Sequence, residues 1–138
     1  MKIRIFYDNV KFRLKESKKV LNIIEKVIRR EKKIPGDLIF IISNNKEVRK
    51  INKEFLNHNY NTDVIAFDYS ERNTLNGEIY ISYGKVKENA NNYKVSCREE
   101  LVRVMIHGTL HLCGYDDNTE EKRKLMMEKG EKWILMLK

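Results

Sequence analysis

Residues 96–117 read SCREELVRVMIHGTLHLCGYDD. Ser96 with Glu99 three residues on forms a capping box, the signature of a helix N-terminus. From there to about Cys113 the stretch is rich in apolar residues, which predicts a long apolar helix. Histidines at i and i+4 differ by about 40° around a helix, so His107 and His111 project side by side. That geometry lets two imidazoles share one tetrahedral metal. Gly114 can take the positive φ that ends a helix and turns the chain back. The residues beyond it then swing towards a third coordination position, with Asp117 placed to reach it. Three protein ligands leave a fourth position for water, the arrangement of a catalytic zinc rather than a structural one.

A plainer reading fits the same spacing. The histidines could be hydrogen-bonded core residues, and Asp116 or Asp117 could cap the helix that follows. A metzincin-type protease is disfavoured: it needs a glutamate after the first histidine as general base, and Gly108 stands there.

Working outward, KIRIFY at 2–7 alternates and predicts a strand. Apolar residues at Val20, Leu21, Ile23, Ile24, Val27 and Ile28 predict an amphipathic helix, capped by Ser17 and ended by Pro35-Gly36. LIFII at 38–42 is short and β-branched, so it reads as a strand buried on both faces. Val48, Ile51 and Phe55 predict a second helix after Asn44-Asn45. TDVIAFDY (62–69) and GEIYISY (77–83) read as two strands joined by a polar loop containing Asn76-Gly77. A short helix carries Val86, Ala90 and Tyr93, and a last one starts near Asn118. The order β-α-β-α-β-β-α-α-α predicts an α+β fold, one layered domain over residues 1–138.

Lysine and arginine number 28 against 20 aspartates and glutamates, a formal charge of +8. The excess favours a polyanionic partner, nucleic acid first and an anionic membrane surface second; its bland alternative is a solvated basic surface. The longest apolar run, Leu38 to Ile42, is far too short to span a membrane. The N-terminal residues lack the apolar segment of a signal peptide, so a cytoplasmic location is expected. Cys97 and Cys113 form no C-x-x-C pair, and Cys113 points about 200° away from His111 around the helix. Both read as buried free thiols, not ligands.

HGTLHLCGYDD (107–117) resembles the H-G-x-L-H-L-x-G-Y-D-H signature of the YbeY family of bacterial endoribonucleases and ribosomal RNA maturation factors. INKEFLNHNYNTDVIAF (51–67) resembles the family's Leu-Asn stretch leading into T-D-V-L-S-F, and GEIYIS (77–82) its G-D-I-x-I-S strand. Order and spacing agree over roughly residues 40 to 120.

The resemblance implies a zincin-like α+β domain with a mixed four-stranded sheet. It also implies a metal-dependent endoribonuclease specific for single strands, which matures the 3′ end of small-subunit ribosomal RNA and serves ribosome quality control. The partners implied are single-stranded RNA, ribosomal RNA and the small ribosomal subunit, with no membrane and no DNA. Zinc is the expected cofactor, one per chain, with other divalent ions as alternatives. His107 and His111 match the first two metal histidines, and Asp117 stands where the family has a third. A carboxylate is an ordinary zinc ligand, and it also suits harder ions such as manganese. Asp116 matches the family's Asp, as support behind the ligands or as a cap.

Two further departures stand out. Leu56 occupies the position of a family arginine that would clamp phosphate, with Arg49, Lys50 and Lys53 as candidate substitutes. Ala66 replaces a serine. Asp63 reads first as a structural hydrogen-bonding residue and second as a catalytic candidate, and His58 as an exposed loop residue. Tyr60, Phe67, Tyr69 and Tyr115 read as core or rim, where a tyrosine could stack an unpaired base. The rival function is a non-catalytic ribosome-assembly factor whose metal is mainly structural.

Overall fold

Alternation along one strand decides which side of the sheet is covered. Leu38, Phe40 and Ile42 are fully buried, whereas Ile39 and Ile41 between them are only partly so. The computed structural model describes residues 3–57 and 62–138. In chain order they form β1 (Ile3–Tyr7), α1 (Ser17–Arg30), β2 (Ile34–Ser43), α2 (Asn45–Leu56) and β3 (Val64–Asp68), then β4 (Thr74–Ser82), α3 (Tyr83–Tyr93), α4 (Cys97–Leu112) and α5 (Glu120–Ile134). A 3-10 turn, Leu135–Leu137, follows. The sheet order is β1-β2-β4-β3, parallel except for β3, which pairs antiparallel with β4. The fold is the expected α+β arrangement with a mixed four-stranded sheet. Among the described residues, no helix is long and apolar enough to cross a membrane.

One face of this sheet carries the main core. Register aligns Ile5, Phe40 and Ile79 across three strands. Against this face pack Ile24, Val27 and Ile28 of α1 with Leu101, Met105 and Ile106 of α4 in a single cluster. Truncating one of these large side chains to alanine costs about 2–5 kcal/mol. The other face aligns Phe6, Ile41 and Tyr80 and is only partly covered. There α2 buries Val48 and Ile65 but leaves Phe55 67% exposed, in edge contact with Phe67. The both-faces reading of 38–42 is therefore corrected: an apolar run cannot report whether a second layer exists to cover it.

Other boundaries move for local reasons. Ser17 is the first residue of α1 and not its cap; Glu16, at φ 55°, precedes it without a side-chain capping bond. The helix stops at Arg30, before Pro35-Gly36, which lie in β2. Asn76-Gly77 lie within β4, and the turn falls earlier, around Arg72 at φ 54°. Asn76 Oδ1 accepts from the Asp37 backbone amide across a register shift between Pro35 and Leu38. Turn-type residues here build an irregularity between neighbouring strands, a bulge-like use of the same chemistry.

Helix α4 lies unusually close to the sheet. A Cβ on Gly108 would stand 2.9 Å from Ile79 Cγ2 and 3.4 Å from Val64 Cγ2. One on Gly77 would stand 2.8 Å from Leu112 Cδ1. The general base that the protease reading needs at 108 is absent, and a glutamate there would force the buried Ile79 side chain to shift.

Candidate active site

Ser96 opens α4 by accepting from the Glu99 amide, as the capping box requires. The Glu99 carboxylate does not reach back; it pairs with Arg103 at 2.9 Å and Lys138 at 3.2 Å. At the other end, Gly114 adopts φ 107°. The Gly114 amide donates to His111 O, and the Tyr115 amide reaches back to Leu110 O. These bonds are the Schellman pattern that glycine makes accessible at a helix end.

The turn brings Tyr115 O to 3.1 Å from His111 Nδ1. A carbonyl can only accept, so Nδ1 carries a proton, and in the neutral ring Nε2 then presents its lone pair. That Nε2 stands 3.6 Å from Asp117 Oδ2. Two donors each about 2.1 Å from a tetrahedral ion lie roughly 3.4 Å apart, so this pair has a spacing that an ion could bridge. Asp117 is not a cap: Thr119 Oγ1 accepts from the Lys122 amide and caps α5. Nor is Asp116, whose Oδ1 accepts from the Asp117 amide. The capping role suggested for both aspartates is corrected by two residues.

His107 lies one turn earlier on α4, on the wall of the same cleft of about 530 Å³. Its Nε2 is buried and has no hydrogen-bond partner among the described residues. The ring edge rests against α5, where a Cβ on Gly130 would be 2.9 Å from Nε2. As the side chains stand, no three His, Cys, Asp or Glu among the described residues are grouped closely enough to hold an ion. An orphaned imidazole nitrogen is nevertheless the kind of donor that a metal would satisfy. The residues present fit a divalent ion held by two imidazoles and a carboxylate.

Burial pushes the His107 imidazole down from its ordinary value to about 4, against the opposing pull of Glu131. The unfolded chain therefore takes up a proton near pH 6.5 that the folded chain refuses until about pH 4. This contribution to stability is complete above the unfolded value and falls as pH drops through the window, by about 3 kcal/mol. Metal-free protein melted across that range should lose stability accordingly, and His107→Gln should flatten the slope. An equal slope in the variant would show that another group is responsible.

Asp63 lines the cleft as well, and burial raises its carboxyl above the usual range despite opposing backbone hydrogen bonds. Two arginines there went unnoticed in the sequence. Arg103 sits four residues before His107, the spacing that pairs the histidines, so its position on their face was readable. It is held by Glu131 at 2.7 Å and by Glu99 and Glu100 at 2.9 Å. Arg123, in the first turn of α5, lines the cleft with no ion pair or side-chain hydrogen bond among the described residues. Among the described residues Leu56, 42% exposed at the end of α2, does not line it, and neither do Arg49, Lys50 or Lys53. Cys113 is a partly buried free thiol pushed up to about 12 by burial, and Cys97 is also free and partly buried. Of the aromatics, Phe67 stacks edge-on with Tyr80, and Tyr69 is exposed with its hydroxyl on Glu78. His58 and Tyr60 lie outside the described residues.

The family profile described as Endoribonuclease YbeY matches residues 6–138. The chain belongs to the endoribonuclease YbeY family. A curated YbeY of Christiangramia forsetii is 44% identical over 131 residues, covering 95% of this chain and 92% of the relative. One of Flavobacterium psychrophilum is 41% identical, covering 91% and 90%. The solution structure of TM1509 from Thermotoga maritima aligns with a TM-score of 0.66 at 31% identity, over 97% of this chain and 87% of that one. The YbeY match spans every element that builds the cleft.

Proposed function

We propose that this chain is a metal-dependent endoribonuclease that cuts single-stranded RNA in the cytoplasm. Its role would be maturation of the 3′ end of small-subunit ribosomal RNA and quality control of ribosomes. The observation that carries the reading is the pairing of His111 Nε2 with Asp117 Oδ2 in a cleft that His107 also lines, in a chain of the YbeY family. His107, His111 and Asp117 would hold the ion, zinc first. When bound, it supplies Lewis-acid polarisation of the scissile phosphodiester.

The protein's own groups do the rest. Tyr115 O fixes the His111 ring, so its Nε2 faces Asp117 before any ligand arrives. Asp63, with its raised affinity for a proton, is suited to take one from the attacking hydroxyl or return one to the leaving oxygen. Arg123 is the cation available for the backbone phosphate, since three carboxylates already engage Arg103. The net charge of +8 adds long-range attraction for the polyanion.

Turnover of a single-stranded RNA oligonucleotide by rigorously purified protein tests the reading, with chelator and His111→Ala as controls. Arg123→Ala should weaken RNA binding and make the plot of log affinity against log salt shallower by about 0.7, one phosphate contact on a single strand. An unchanged slope would remove Arg123 from the RNA path. The second reading, an RNA-binding assembly factor without turnover, is favoured by Leu56 at the arginine position. Tight salt-sensitive binding with no cleavage would establish it.

A further inference from the structure

Tyr115 draws three separate parts of the chain together. Its hydroxyl donates to Glu31 Oε1 at 2.6 Å, and Glu31 is the residue that ends α1. Lys129, in the middle of α5, sits 5.1 Å from the centre of the Tyr115 ring and 3.5 Å from Glu31 Oε2. The Glu31 side chain is largely buried, so a charge-assisted hydrogen bond there is stronger than one in water. Meanwhile the backbone of the same tyrosine does different work: its carbonyl orients His111, and its amide closes the turn onto Leu110.

From these contacts we infer that Tyr115 is a positioning residue for the candidate metal ligands, clamped by Glu31 and Lys129. The inference rests on the metal reading proposed above. Two ligands depend on where residue 115 lies. His111 depends on it through the Nδ1 bond, and Asp117 through the two peptide units that follow. Gly114 has no side chain within reach of a neighbour, for a Cβ there would meet nothing within 4 Å. The turn is placed by its backbone bonds and by the local Asp116 bond, and the Tyr115 ring and hydroxyl tie it to α1 and α5. Freed from Glu31, residue 115 can shift by fractions of an ångström, enough to lengthen a 3.1 Å bond and misalign the imidazole.

The test is zinc affinity by chelator competition, alongside thermal melting of the metal-free proteins. Tyr115→Phe keeps the ring and the carbonyl but loses the anchor, and should weaken zinc binding about 10- to 100-fold. Glu31→Ala should do the same. Glu31→Gln keeps an acceptor for the hydroxyl and should stay within about threefold of wild type. Wild-type affinity in Tyr115→Phe, with only a lowered metal-free melting temperature, would make the contact a plain structural fastener and overturn the inference. Wild-type protein that binds no zinc would overturn it together with the metal reading.

Discussion

His111→Ala is expected to lose bound metal and RNA cleavage together, the latter by about 10²–10³-fold or more. Its Nε2 is the donor already turned towards Asp117, and alanine leaves the carboxylate facing an empty cleft. Substitutions at Asp117 sharpen the test. Thr119 caps α5, so Asn, Ala and His at 117 should all fold with nearly unchanged metal-free melting temperatures. Asp117→Asn and Asp117→Ala should then lose metal, whereas Asp117→His should retain it. Metal content by elemental analysis decides the matter. Full occupancy in Asp117→Ala would show that the third ligand lies elsewhere.

The largest stability effect is expected at Arg103. Glu100 is 3% exposed, and burial raises its carboxyl above the usual range even with Arg103 beside it. Arg103→Ala would strip that carboxylate of its partner inside the protein, at a cost of about 3–5 kcal/mol. For a domain of this size the melting temperature should fall by roughly 10–15 °C. Acidification should restore part of the loss, because a proton on Glu100 relieves the buried charge. The double variant Glu100→Gln/Arg103→Met should recover much of it at neutral pH as well. A drop under about 1 kcal/mol in Arg103→Ala would mean that solvent reaches the carboxylates far more freely than their burial indicates.

The parts of the fold readable from sequence were those governed by local chemistry. Ser96 caps α4, Gly114 ends it, and the i, i+4 spacing puts both histidines on one cleft wall, all from rules that span a few residues. The parts that escaped depend on what lies opposite. Gly36 and Gly77 look like turn glycines, yet they sit in strands, where β4 or β3 and α4 pass too close for a Cβ. The aspartates at 116 and 117 look like caps, and Thr119 took that role because α5 begins later. That Ile39 and Ile41 are half covered follows from how far α2 extends over the sheet, which no periodicity encodes. Arg103 is different: its spacing from His107 was visible, and the three carboxylates that hold it are two near neighbours and one from α5.

The contact between Gly108 and Ile79 has a consequence for what this scaffold can become. A glycine codon turns into a glutamate codon by one base change, and at position 108 that change would write the H-E-x-x-H pattern of a zinc peptidase. Here the new side chain would be driven against Ile79 and Val64 on the sheet, so it could enter only if the buried Ile79 side chain moved. Acquiring that activity would first require repacking between α4 and β4. Close packing of α4 on β4 thus stands between this cleft and that pattern, quite apart from any substrate.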